Sequence, residues 1–243
     1  MRCNADRLIE ALITAQIHEQ QAIDRSNKQR SWERSKTHVV TISRGYGALG
    51  REVAQLLADT LELRCCDRYI LQEVARRADV DEKLVTVLDK HIARIDRHWW
   101  ESLLNKNALS VEEFYTHLVK TVLSISLRGG VIIGRGANQI LGHEQAFRVR
   151  IVGSPAICAR RVAEWTNTSI EEARQRIIDV DQERAEYVHT LYQADINDPL
   201  GYDLIINSDR YDQSQMVEII VRAMLKAGYQ LEADVFDSLV KLS

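Results

Sequence analysis

The sequence predicts an α/β fold, a five-stranded parallel sheet with helices on both faces, extended by a helical insertion and an N-terminal helix. Two observations predict it. Short β-branched runs alternate along the chain with long patterns of helical period, and the first of those runs stops directly at a glycine-rich turn that leads into a helix.

Residues 6–25 place Leu8, Leu12 and Ala15, and beside them Ile9, Ile13 and Ile17, at helical spacing before a polar run from Arg25 to Lys36. Residues 1–37 therefore read as an amphipathic helix on a linker. His38 to Ile42 is the first strand. Leu61 to Cys66, Val131 to Gly134, Phe147 to Val152 and Asp203 to Asn207 are the others. Between Arg68 and Leu127 there is no proline and only helical patterning; Val85, Leu88, Ile92, Ile95 and Trp99 line one stripe, so this stretch reads as a helical insertion. Ser110-x-x-Glu113 and Ser169-x-x-Glu172 read as capping boxes that open further helices, because a serine hydroxyl and a glutamate three residues on satisfy each other's free N–H groups. Residues 38–226 form the core domain on this reading, and 227–243 a helical tail.

Net charge is −3, from 32 basic and 35 acidic residues, so no bulk electrostatic case exists for nucleic acid or an anionic membrane as partner. No stretch of about 18 apolar residues occurs, and Arg2, Asp6, Arg7 and Glu10 interrupt the start of the chain, which argues against a membrane span or a signal peptide. Cys3, Cys65, Cys66 and Cys158 form no CxxC or zinc-ligand pattern, so the expected location is a reducing cytoplasm.

Directly after the first strand comes Gly45-Tyr46-Gly47-Ala48-Leu49-Gly50-Arg51-Glu52, followed by helical spacing through Val53, Leu56 and Leu57. Gly45 and Gly50 have the spacing of a loop whose backbone N–H groups and helix N-terminus cradle phosphate oxygens. Arg51 stands where that motif has lysine and Glu52 where it has serine or threonine. Arginine is a planar fork suited to gripping a fixed phosphate, whereas lysine can follow a moving one. Glu52 reads either as a ligand for Mg²⁺ or as a first-turn acid favoured by the helix dipole.

Two later segments make the pattern more specific. Val131-Ile132-Ile133-Gly134-Arg135-Gly136 is a strand ending in Gly-Arg, and the strand from Phe147 runs on through Gly153-Ser154-Pro155 into Arg160-Arg161. Asp179-Val180-Asp181-Gln182-Glu183-Arg184 is followed by Tyr202 to Asp209. With the glycine loop these segments, spanning about residues 38 to 226, resemble the cytidylate-kinase-like family, divergent nucleoside monophosphate kinase relatives whose phosphate loop ends in Gly-Arg-Glu. The resemblance implies a P-loop kinase fold, ATP and Mg²⁺ as cofactors, and phosphoryl transfer to a small phosphorylated acceptor, most readily a nucleoside monophosphate. By the same resemblance residues 45–52 bind the donor, Arg135 binds the acceptor phosphate, Asp181 and Arg184 contact it from a lid at about 160–200, and Arg51, Arg184 and Arg174 serve the transfer. Arg176 stands beside Arg174. Asp67 matches an acidic position that opens the acceptor region, and equally reads as a helix N-cap. Gly136 replaces the aspartate of true cytidylate kinases and Val180 a lid arginine, which leaves the acceptor's base open. A catalytically weak nucleotide-binding regulator with the same fold is the alternative. The N-terminal and insertion helices offer surfaces for a second copy. Trp99-Trp100 reads as packing, and His91 and His98 lack a third ligand for a metal.

Overall fold

The computed structural model describes residues 38–79, Glu82, Val85, Thr86, Asp89, residues 110–231 and Val235. The N-terminal helix and linker, most of the insertion stripe with Trp99, Trp100, His91 and His98, and most of the tail lie outside these residues. In chain order the elements are β1 (Val39–Arg44), α1 (Gly50–Thr60), β2 (Cys65–Cys66), α2 (Arg68–Ala78), α3 (Val111–Ser126), β3 (Gly130–Ile133), α4 (Ala137–Gln145), β4 (Phe147–Val152), α5 (Pro155–Thr166), α6 (Ile170–Tyr192), a short 3₁₀ turn (Pro199–Gly201), β5 (Leu204–Asn207) and α7 (Gln213–Lys226).

The five strands form one parallel sheet in the order β2-β3-β1-β4-β5. Strand side chains alternate between faces, so β1 divides its residues. Val40 and Ile42 pack with Val149 and Ile151 against Val53 and Leu57 of α1, Val162 of α5 and Met216, Ile220 and Met224 of α7. Val39, with Ile132 of β3, joins Ile70 and Val74 of α2, Phe114, Leu118 and Val122 of α3 and Ile140 of α4. A sheet buried on both faces explains why β3 reads as an uninterrupted apolar run, while β4 carries Arg148 and Arg150 between its apolar residues. Each of these fully buried aliphatic side chains contributes about 1.5–3 kcal/mol.

Both capping boxes form: the Ser110 and Ser169 hydroxyls accept from the N–H of Glu113 and Glu172, whose carboxylates accept from the serine N–H groups. The second predicted strand is shorter than its pattern. Only Cys65 and Cys66 pair with β3, while Leu61 and Leu63 pack on the core from the connection after α1. Parallel sheets place their loops and ligand crevices at the carboxyl ends of the strands. Here those ends carry Arg44, Asp67 and Gly134-Arg135-Gly136.

Candidate functional site

The chain leaves β1 at Arg44 and turns through residues 45–49 into α1. The Gly45 N–H donates to the Ile151 carbonyl at 2.9 Å, which fixes the root of the loop to β4. Gly47 is left-handed (φ 82°), and a Cβ there would lie 2.9 Å from both the Cβ and the carbonyl oxygen of Cys158. Leu49, the N-cap of α1, is also left-handed (φ 63°). No backbone carbonyl among the described residues accepts from the N–H groups of Gly47, Leu49, Gly50, Arg51 or Glu52. The last three are the free donors that every helix N-terminus presents, and with the loop they form a concave set of amides suited to an anion. The Tyr46 N–H is engaged: it donates to both carboxylate oxygens of Asp181, at 2.9 and 3.1 Å.

Asp181 and Arg184 come from the middle of α6. Arg184 Nη1 donates to Asp181 Oδ1 and to the Arg44 carbonyl, both at 3.0 Å, and its guanidinium lies 5.6 Å from the Tyr46 ring centroid. The 23-residue helix is thereby clamped onto the loop.

Beside the loop is a cavity of about 560 Å³, within the usual range for small-molecule sites. Arg44, Arg135 and Arg184 line it together with Asp67, Asp89, Asn138 and Tyr187. Gly134, Arg135 and Gly136 are three successive left-handed residues (φ 69°, 57° and 66°) that carry β3 directly into α4. A left-handed arginine costs about 1 kcal/mol, and the surroundings hold it there. The buried Tyr192 hydroxyl donates to the Arg135 carbonyl, the Tyr192 ring packs where a Cβ at 136 would stand, and Arg135 Nη2 pairs with Asp89 Oδ2 at 3.0 Å. Tyr187 donates to Asp89 Oδ1 at 3.3 Å. Arg135 Nε is buried and has no partner among the described residues.

Burial sets the electrostatics. It lowers the pKa of Arg44 to about 9, with the nearby Arg184 and Arg135 cations pushing the same way. Burial also lowers Arg184, against the opposing pull of Asp181. At Arg135 burial acts downward too, but Asp89 and the other acidic neighbours outweigh it and the net shift is upward. Tyr187 and Tyr192 are raised, by burial first and then by Asp89 and by Tyr115 respectively, so both phenols stay protonated donors.

Among the predicted residues, Arg135, Arg184 and Asp67 line the cavity. Asp67 stands at the N-cap of α2 without capping it; its carboxylate pairs instead with Arg51 Nη2 at 2.8 Å. Arg51 is 62% exposed and lines an open depression with Glu52, Gln55, Leu56 and Asp59. Arg174 is exposed on α6 and outside the cavity lining, whereas Arg176 reaches to 6.0 Å from the Tyr46 ring centroid. No group of three metal-ligating side chains clusters among the described residues. Mg²⁺ in phosphoryl-transfer sites needs only one or two carboxylates beside substrate phosphates and water, and Glu52, in the first turn of α1, fits that sparse donor set. Sequence reasoning missed Arg44, Asp89, Tyr187 and Tyr192. Arg44 had a signal, the one charge in an otherwise uncharged strand; the other three had none.

A model of the cytidylate kinase-like family matches residues 39–210. A cytidylate kinase from Methanothrix thermoacetophila is 32% identical over 95 residues, which are 39% of this chain and 54% of the relative, so the chain spans about half the length of the curated relative it matches. Among solved structures, an uncharacterized protein from Eubacterium ventriosum aligns over 76% of this chain and 97% of its own, at a TM-score of 0.58 and 17% identity, which shows a shared fold. A shikimate kinase from Acinetobacter baumannii in complex with shikimate aligns over 80% and 96%, at a TM-score of 0.45 and 14% identity.

Proposed function

The chain belongs to the cytidylate kinase-like family, and from that premise we propose that it transfers a phosphoryl group from ATP to a small phosphorylated acceptor, a nucleoside monophosphate. One observation carries the reading. A loop with open backbone amides adjoins a cavity lined by arginines, and Arg184 spans the two, bonded at the root of the loop while lining the cavity.

In this reading the amides of Gly47, Leu49 and Gly50 to Glu52 hold the donor phosphates, with no side-chain reorganisation required as charge develops. Arg135, fixed by Asp89 and by the Tyr192 bond to its carbonyl, offers its unpartnered Nε and the rest of its fork to the acceptor phosphate. Asp67, Asn138 and Tyr187 present polar groups to the rest of the acceptor. Arg184 neutralises charge between the two sites, and the α5–α6 hairpin covers them as a lid that keeps water from competing. Mg²⁺, held at Glu52, would draw charge from the donor phosphates. The chemistry is that of a cytoplasmic enzyme acting on soluble metabolites; no helix among the described residues is long and apolar enough to cross a membrane.

A second reading, a catalytically weak nucleotide-binding regulator, draws on two contacts: Asp181 already occupies the Tyr46 amide, and Arg51 is committed to Asp67. Calorimetric titration of ATP and of a panel of nucleoside monophosphates tests the assignment of sites. Arg135→Ala should weaken one monophosphate about tenfold or more and leave ATP within about twofold. Equal binding of every monophosphate by the variant and the wild type would sink it.

A further inference from the structure

Among the described residues the cavity's other arginines each have a carboxylate at bonding distance, Arg135 with Asp89 and Arg184 with Asp181, and Arg51 outside it has Asp67. Arg44 has none. Among the described residues its guanidinium makes no ion pair or side-chain hydrogen bond, although it lines the same cavity. The fold makes room for it twice. Any Cβ at Gly50 would overlap the stem of Arg44, lying 2.8 Å from its Cγ, and a Cβ at Gly134 would overlap its Nη1. Two glycines thus thread one side chain from the end of β1, beneath the start of α1, to the turn that carries Arg135.

Arg44 is half-buried, and a cation drawn out of water without an ion pair is costly. The fields of Arg184 and Arg135 add to that cost, those of Asp67 and Asp181 offset only part of it, and a bound anion would relieve the rest. Meanwhile Arg51, at the position where phosphate loops carry lysine, is paired with Asp67 and is mostly exposed. We propose that Arg44, rather than Arg51, is the loop's phosphate-binding cation, gripping the phosphoryl group that lies between the donor loop and Arg135. The proposal rests on the kinase reading for the identity of that phosphate, and on geometry alone for anion binding at Arg44.

The test uses the full chain with inorganic pyrophosphate as probe, titrated calorimetrically. Arg44→Met should weaken pyrophosphate binding at least about tenfold, Arg44→Lys should keep part of the affinity, and Arg51→Met should weaken it less than about threefold. Because methionine fills the stem's space and removes a half-buried charge, Arg44→Met should melt no lower than the wild type, which separates lost binding from lost folding. Pyrophosphate binding that survives Arg44→Met, that depends more on Arg51, or that is absent from the wild type would overturn the proposal. In the transfer assay Arg44→Met should lower kcat about 100-fold with a smaller change in KM for ATP. Absence of transfer in the wild type, with Arg44-dependent pyrophosphate binding intact, would count against the kinase reading and in favour of the anion site.

Discussion

Gly136→Ala puts the anchoring of Arg135 to the test. At φ 66° an alanine pays about 1 kcal/mol for the left-handed backbone. Its Cβ would also stand 2.5 Å from Cζ and 2.8 Å from Cδ2 of Tyr192, and closer still to Cε2. Tyr192 is wedged beside Tyr115, with ring centroids 5.8 Å apart, so it has little room to retreat. Overpacking of this kind costs about 1–3 kcal/mol, and loss of the hydroxyl's bond to the Arg135 carbonyl adds about 1 kcal/mol. The expected loss is about 3–5 kcal/mol, read as a lowered urea midpoint with an unchanged m value. Gly228→Ala is the control: Gly228 is also left-handed (φ 91°) but has nothing among the described residues within 4 Å of its Cβ position, so it should lose only about 1 kcal/mol. Equal losses in the two variants would refute the claim that the Tyr192 ring, rather than backbone strain, demands glycine at 136. The same clash explains why the aspartate of true cytidylate kinases has no place here.

Two further perturbations probe the walls of the site. Asp181→Ala removes the carboxylate that ATP phosphates would compete with at the Tyr46 amide; since Asp181 is 39% exposed, the contact is worth about 1 kcal/mol, and ATP should bind about fivefold tighter by calorimetry. Weaker binding would mean that Asp181 supports the nucleotide. Arg150 is 9% exposed in β4, donating to Ser43 Oγ and to Asn197 Oδ1, both at 2.8 Å, with its guanidinium 5.6 Å from the Tyr202 ring centroid. Arg150→Ala should cost about 2–4 kcal/mol and speed proteolysis within residues 193–202, and an unchanged urea midpoint would contradict that role.

What was legible in the sequence is what neighbours along the chain determine. The strand at Phe147–Val152, the two capping boxes and the glycine loop all depend on residues within one or two turns of one another. The shortened β2 was not legible, because Leu61 and Leu63 are apolar for the core rather than for a ladder, and a sheet edge pairs only as far as β3 accompanies it. The site itself is assembled over long separations: Asp181 meets Tyr46 across 135 positions, and Tyr187 meets Asp89 across 98. Gly-Arg-Gly at 134–136 could be read as a binding turn by resemblance. That each glycine there yields its space to a particular side chain, Arg44 on one side and Tyr192 on the other, follows only from the packing.

The central claim is phosphoryl transfer, and the most direct measurement follows ³¹P signals of ATP and Mg²⁺ with the full chain and each nucleoside monophosphate in turn. The account predicts that, with one acceptor, ATP and the monophosphate are consumed together to give ADP and the acceptor's diphosphate without release of inorganic phosphate, and that this conversion is lost in Arg135→Ala. ATP that stays intact with every monophosphate, while still binding to the chain, would contradict it and leave the nucleotide-binding regulator as the function of this fold.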